Sequence, residues 1–321
     1  MQTILGANGT IGRPLAKELL NYTDKVRLVS RNPKKINETD ELFPADLSDP
    51  SQIDAAVAGS EVIYVLVGFE YSAKIWEEKW PRLMSAVIDS CEKHNSRLVF
   101  FDNMYAYDAS SLGNMTEDAP LNPPSRKGAV RKQVIEMITA SISQRRIKAL
   151  IARAADFYGP GNEKSFLIEI TVKNFLKGRR ANWFCNPDKK HSFTYTPDAA
   201  KATALLGNTD DAYNQAWHLP THPDALTGRE MIRLVAKEMH AKDDVLVVSR
   251  FLTGLLGLFM PIMKETKEML YQYEMDYIFR SDKFEKRFGI KPTSYEAGVR
   301  QTVKSFYNYE VLDNELNSSQ K

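Results

Sequence analysis

With 321 residues the chain can hold one large domain and a smaller companion, and its 43% hydrophobic and 26% charged content is ordinary for a globular protein. A net charge of +2 argues against a dedicated nucleic-acid binder, which would show a clustered basic excess. The two cysteines, Cys91 and Cys185, are isolated, which fits a reducing compartment better than a disulfide framework.

The N-terminus, MQTILGANGT, runs straight into a motif, with no charged leader ahead of an apolar core. A cytoplasmic protein without a secretion signal is expected. TILGA is a strand, and IGRPLAKELL follows as a helix with Ile11, Leu15 and Leu19 on one face and Pro14 in the first turn. VRLVS and EVIYVLV are strands, EKWPRLMSAVIDSCEKH a helix, RLVFFD a strand, GAVRKQVIEMITASI a helix and KALIARAA a strand. Strands that are continuous apolar runs, alternating with helices, predict a parallel sheet covered on both faces. The second half is more mixed. EKSFLIEITVKNFLKG and TGREMIRLVAKEMH read as amphipathic helices, and two more flank a turn at Gly289 to Pro292, with a tail from Asp313 expected to fray.

The fold class read from this pattern is α/β, a parallel sheet with a smaller, mixed C-terminal part as a cap over its C-terminal edge. The most apolar stretch, Val245 to Met263, is interrupted by Arg250, Gly254, Gly257 and Pro261. A spanning helix needs roughly 20 uninterrupted apolar residues. The stretch is read as a buried strand followed by an apolar helix, and no membrane partner is expected.

GANGTIG sets Gly6, Gly9 and Gly12 between the first strand and the first helix. A pyrophosphate needs backbone N–H groups at a helix N-terminus with no side chain in the way, so Gly6, Asn8, Gly9, Thr10, Ile11 and Gly12 are candidate cofactor contacts. The alternative is a glycine-rich turn with no ligand. The second strand ends VSRNPKK. An acidic residue there would suit a free ribose 2′-hydroxyl, but this chain has Ser30 and Arg31, and arginine suits a 2′-phosphate. NADP(H) is expected ahead of NAD(H), although the same loop can be read as solvated basic surface. Asp46 and Leu47 fall just past the third strand, where Asp46 can meet the adenine or cap a helix, and Val67 ends the EVIYVLV strand beside the cofactor. His218 and His222 are separated by the helix-breaking Pro220, there is no HExxH pattern, and no metal site is expected.

The ordered series GANGTIG, ADLSDP, RAADFYGPG, HSFTYTPDAAKA and FGIKPTSYEAGVRQTV resembles the extended short-chain dehydrogenase/reductases of the NAD(P)-dependent epimerase/dehydratase type, over nearly the whole length. The resemblance implies an α/β Rossmann fold, a doubly wound parallel sheet with a smaller C-terminal α+β substrate domain, divided as 1–160 plus about 192–222 for the NAD(P)-binding domain and about 161–191 and 223–321 for the substrate domain, with a substrate pocket between them. It also implies a Ser or Thr, then a Tyr-x-x-x-Lys pair, for proton transfer. Aligned on FFDNMYAYD, Asn103 falls at the Ser/Thr position, Lys127 at the tyrosine and Arg131 at the lysine. All three usual groups are replaced.

Lys127 and Arg131 are four apart on one helix, and arginine holds its proton, so Lys127 is the candidate acid/base and also a cofactor contact. Arg131 can bond the nicotinamide ribose, Asn103 can donate to a substrate oxygen, and Tyr105 is a spare phenol that can deliver the proton. Tyr107 and Tyr158 are further spare phenols. Asp102, Tyr158 and His191 are candidate substrate contacts, with His191 suited to an anionic group. The blander reading of Lys127 and Arg131 is a solvated face or counter-charge for phosphate. The expected activity is NADP(H)-linked oxidoreduction, or epimerase or dehydratase chemistry, on a small, anionic or nucleotide-sugar-like substrate, by a monomer or homodimer. The runner-up is a non-catalytic NADP(H)-binding redox sensor.

Overall fold

In the computed structural model, which describes residues 1–163 and 165–318, the expected alternation forms one seven-stranded parallel sheet. Its strands are β1 (Gln2–Leu5), β2 (Val26–Ser30), β3 (Glu41–Pro44), β4 (Val62–Val65), β5 (Arg97–Asn103), β6 (Ala149–Ala154) and β10 (Ala216–His218), in the order β10-β6-β5-β4-β1-β2-β3. Two short parallel pairs stand apart from it: β7 (Asp156–Tyr158) with β9 (Phe193–Tyr195), and β8 (Ala181–Phe184) with β11 (Val245–Val248).

The helices are α1 (Gly12–Leu19), α2 (Pro50–Val57), α3 (Ala73–His94), α4 (Arg126–Ser143), α5 (Lys173–Leu176), α6 (Thr196–Gly207), α7 (Gly228–Glu238), α8 (Arg250–Leu256), α9 (Pro261–Lys267), α10 (Asp282–Phe288) and α11 (Tyr295–Ser318). Side chains alternate across each strand. Ile4, Leu28, Tyr64 and Val99 face a core shared with α1 and α6, while Leu5, Val29, Ile63 and Phe100 face one shared with α2, α3 and α4. That two-sided burial is why the strands read as unbroken apolar runs. A third core, including Trp183, Phe193, Ile232, Leu270 and Val299, gathers the C-terminal helices and small sheets. Chain order reverses between β1 and β4, and the crevice beyond their C-terminal ends is where such sheets take ligands.

Three strands are braced at that edge by a row of charge. In the parallel register Asp102 on β5 lies beside Arg153 on β6, and Arg153 beside His218 on β10. Arg153 Nε donates to Asp102 Oδ2 at 3.0 Å, and its Nη1 donates to the Tyr107 hydroxyl at 2.5 Å. His218 Nδ1 lies 2.6 Å from the Arg280 carbonyl, which can only accept, so Nε2 is left as the acceptor for the Tyr107 O–H at 2.6 Å. Asp102 and Tyr107, candidates for the pocket from sequence, are thus fully buried members of a structural network.

Two sequence expectations fail here. The stretch from Val245 is not buried: only Val248 of β11 is enclosed and the outer side of α8 is open, because among the described residues β11 pairs with β8 alone and Leu246 and Val247 stand exposed. The tail from Asp313 continues α11 to Ser318, and Ser319 to Lys321 lie outside the described residues.

Burial, aided by the Arg153 charge, holds His218 well below the usual imidazole range, so it folds neutral. The unfolded chain binds a proton there below about pH 6.5 and the folded chain does not, so stability falls with decreasing pH by about 1.4 kcal/mol per unit. Half-buried Glu117 and Asp198, pushed up by desolvation, act in the opposite sense over part of the range. The readout is therefore the wild-type minus His218→Gln difference in urea unfolding between about pH 7 and pH 5. A difference that does not change with pH would show that His218 is not held neutral.

Candidate functional site

The glycine loop is shaped by close approaches. Gly6 has φ +89°, and a Cβ there would lie 2.9 Å from the Leu66 backbone; a Cβ on Gly12 would overlap the Ala7 carbonyl. No side chain caps α1, and the N–H groups of Thr10 and Ile11 take no partner among the described residues. Donors without partners at a helix start are what an anionic group needs. Asn8 Nδ2 ties the loop to the end of β2 through the Asn32 carbonyl at 2.7 Å, and Thr10 Oγ1 donates to Asn162 at 3.3 Å.

Ser30 Oγ is enclosed without a partner among the described residues, and Arg31 is exposed and free of ion pairs with them. The Asp46 carboxylate accepts from Ser48 N and Oγ at 2.9 and 2.8 Å, which, with the nearby Arg31 charge, holds it below the usual range. The cap of α2 is Asp49 rather than Asp46. Leu47 and Val67 are half-buried against the core beneath.

Lys127 and Arg131 share a face of α4, but their heads part. Ser125 caps α4 by accepting from Gly128 N at 3.1 Å, and the absence of a Cβ on Gly128 lets the helix start press against the Tyr105 backbone. Lys127, fully buried, places Nζ 2.6 Å from Glu265 Oε2 and 2.6 Å from Glu268 Oε1, and 4.5 Å above the Tyr71 ring. The same two carboxylates reach helix N-termini. Glu265 Oε2 accepts from Ala73 N, the first residue of the otherwise uncapped α3, at 2.9 Å, and Glu268 Oε2 accepts from Arg126 N at 2.9 Å. Burial works to raise Glu265, but its bonds to Lys127 and Ala73 outweigh that and hold the carboxyl below its usual range.

The Arg131 guanidinium is buried 4.3 Å over the Trp80 ring, with Nε 3.0 Å from Asp102 Oδ1. That contact is charge to charge: the N–H does not aim at the oxygen, and Nε and Nη1 make no hydrogen bond among the described residues. Asn103 Oδ1 accepts from Tyr105 N at 3.1 Å.

Beyond the ends of β4 and β5 lies a group of phenols around one carboxylate. Asp156 Oδ2 accepts from His191 Nε2 at 2.9 Å and from the Tyr273 hydroxyl at 3.2 Å. The His191 ring is stacked between Tyr277 at 4.2 Å and Tyr273 at 4.9 Å. Tyr71 donates weakly to Tyr105 at 3.5 Å. Burial, reinforced by the Asp156 charge, pushes the phenols of Tyr71 and Tyr105 well up, so both keep their protons at neutral pH. The Asp156 side chain stays 17% exposed while His191 is enclosed, so the carboxylate is the accessible end of the pair.

The family described as NAD dependent epimerase/dehydratase matches residues 3–217. The chain belongs to the NAD-dependent epimerase/dehydratase family. No curated protein matches it in sequence. Solved structures share its fold. A dTDP-glucose 4,6-dehydratase double mutant from Streptomyces venezuelae, with NAD bound, is 17% identical, with TM-score 0.78 over 96% of this chain and 97% of that one. A UDP-N-acetylglucosamine 4-epimerase from Methanobrevibacter ruminantium, in complex with UDP-N-acetylmuramic acid, is 16% identical, with TM-score 0.77 over 96% and 100%. The UDP-glucose 4-epimerase of Thermus thermophilus, in complex with NAD, is 16% identical, with TM-score 0.75 over 96% and 99%.

Within this family member, the structure brings the glycine loop, Arg31 and Asp46 to one crevice and sets Asn103 and Tyr105 at the neighbouring strand end. It separates the other candidates. Tyr158 is packed among Phe193, Tyr195 and Tyr295, and its hydroxyl has no hydrogen bond among the described residues. His191 faces Asp156 from inside the core rather than meeting an external anion. Among the described residues no group of three His, Cys, Asp or Glu is placed to hold a metal. Sequence reasoning missed Asp156, although it stands inside the quoted RAADFYGPG. It also missed Glu265 and Glu268, whose three-residue spacing put them on one side of the chain with no hint of their distant lysine.

Replacing Lys127 with Met leaves two carboxylates facing each other at two helix starts. Discounted for the partial exposure of both glutamates, the expected loss is about 2–4 kcal/mol in urea unfolding. Adding Glu265→Gln and Glu268→Gln to Lys127→Met recovers part of it, giving a non-additive cycle. An additive cycle would remove the clasp.

Proposed function

We propose that the chain binds NADP(H) along the glycine loop and exchanges hydride with a small anionic, nucleotide-sugar-like substrate, as an oxidoreductase or as an epimerase or dehydratase that retains its cofactor. The observation that carries this reading is the cradle: glycines where a Cβ would collide, leading into an uncapped helix start with donors to spare. The dinucleotide supplies a carbon that accepts and returns hydride. Gly6, Asn8, Gly9, Thr10, Ile11 and Gly12 hold the pyrophosphate. Ser30 and Arg31 meet the 2′-phosphate, and Asp46, Leu47 and Val67 line the adenine end. Arg31 without an ion pair among the described residues, and no carboxylate at the end of β2, support NADP(H) over NAD(H). The dTDP- and UDP-sugar enzymes among the structural neighbours support the substrate class.

Proton transfer falls to Asp156 and Tyr105 rather than Lys127, whose amine is bound by two carboxylates. Tyr105, protonated at neutral pH, is the donor. Asp156, oriented by His191 and Tyr273, is the acceptor, and the Asn103 amide donates to the substrate oxygen. The filled Lys127 position also favours a second reading, a non-catalytic NADP(H)-binding redox sensor. The thiols of Cys91 and Cys185, unpaired in the fold, support a cytoplasmic location.

Calorimetric titration with NADPH, NADP⁺, NADH and NAD⁺ tests the first half. NADP(H) is expected to bind more tightly, with the preference lost in Arg31→Ala; if none of the four binds, both readings fall. A panel of nucleotide sugars tests the second. Turnover is expected, reduced about a hundredfold in Asp156→Asn with cofactor affinity unchanged. Cofactor binding without turnover on any member leaves the sensor.

A further inference from the structure

Of the twelve large apolar side chains that stand exposed among the described residues, eight fall between Leu246 and Ile262. The most open are Phe251 at 83%, Phe259 at 81% and Leu258 at 75%. Phe251 and Leu255 stand one turn apart on the outer side of α8, and Leu258, Phe259 and Met260 form the turn into α9. The hairpin is held in place rather than loosely collapsed. Leu252 and Met263 pack on the third core, and a Cβ on Gly257 would lie 3.2 Å from the Lys264 backbone, so the two short helices touch closely.

Charge is sorted across the same hairpin. Its carboxylate, Glu265, turns inward to Lys127 and Ala73. Its outward cations, Lys264 and Lys267, make no ion pair with a described residue. At the other end of the apolar stripe, Arg179 and Arg180 are exposed, likewise unpaired, and share a surface depression with Leu246. Apolar surface bracketed by unneutralised cations matches a layer that is apolar within and negative at its face. It does not match a second copy of the chain: with cations at both ends of the stripe, pairing it with itself in either direction brings like charges together. Neither helix is long enough to cross a bilayer: each has seven residues, and no described helix is long and apolar enough to span.

We propose that the α8–α9 hairpin docks the protein on an anionic lipid surface, with Phe251, Leu258 and Phe259 entering the headgroup boundary and Lys264, Lys267, Arg179 and Arg180 meeting the lipid phosphates. This inference is independent of the proposed chemistry. It differs from the expectation of no membrane partner because that reading placed the apolar stretch in the core.

Co-sedimentation with vesicles tests it, using phosphatidylcholine alone and phosphatidylcholine with phosphatidylglycerol. The wild type is expected to pellet with the anionic vesicles and to be released by added salt. Phe251→Glu with Phe259→Glu should lower binding at least about tenfold while circular dichroism stays native. Lys264→Glu with Lys267→Glu should lower it about tenfold or more on anionic vesicles only. Three results would overturn the proposal: wild type left in the supernatant with both vesicles, equal binding to neutral and anionic vesicles, or a lipid-free dimer by light scattering that Phe251→Glu with Phe259→Glu splits and that ignores vesicles.

Discussion

The buried ammonium of Lys127, held between Glu265 and Glu268, is the contact on which the arrangement of the site depends. One cation in an apolar setting must be neutralised, and here the counter-charges come from a segment some 140 residues away in sequence. Each carboxylate does a second thing that an isolated pair would not. Glu265 closes the uncapped start of α3, and Glu268 meets the start of α4. The positive ends of two sheet helices and one lysine are satisfied by the same pair of side chains. This fixes α9 over the C-terminal edge of the sheet and positions Tyr71 beneath the lysine.

Ionisable groups along that edge divide into two populations with different physics. Asp102, Arg153, Tyr107 and His218 are enclosed, mutually bonded and linked through adjacent strands in register, so they brace the sheet. Burial pushes the Tyr107 phenol up to about 12 even with Arg153 against it. Asp156, Tyr71 and Tyr105 lie farther out, and the carboxylate keeps contact with water. An acceptor in reach of solvent beside donors that burial keeps protonated is an acid/base arrangement. The resemblance had led to the Lys127 position instead.

The α8–α9 segment faces two ways. Inward it supplies the carboxylate that neutralises Lys127; outward it shows aromatic and aliphatic side chains with bare cations at both ends. A surface of that kind costs solubility unless something covers it. Because the inward and outward contacts belong to one short hairpin, whatever meets the outer side bears on the closure over the crevice.

Much of the framework follows from local pattern. Unbroken apolar runs such as VIYV and LVFF can only be strands covered on both faces, and GANGTIG between a strand and a helix can be placed without coordinates, because its constraint is the missing Cβ. The apolar content of 245–263 was equally plain, but whether it faces the core or the surface depends on what lies beside β11, and among the described strands β8 alone pairs with it. The role of Lys127 was beyond the sequence for the same reason. Spacing of four placed Arg131 beside it on the helix, yet a long side chain goes to whichever charge is nearest in space. Those charges were Glu265 and Glu268 for one and Asp102 for the other, brought in by tertiary packing. The sequence by itself determined the parallel sheet and the glycine turn. Only the tertiary structure decided which charges neutralise which, because burial and pairing depend on distance through space and not along the chain.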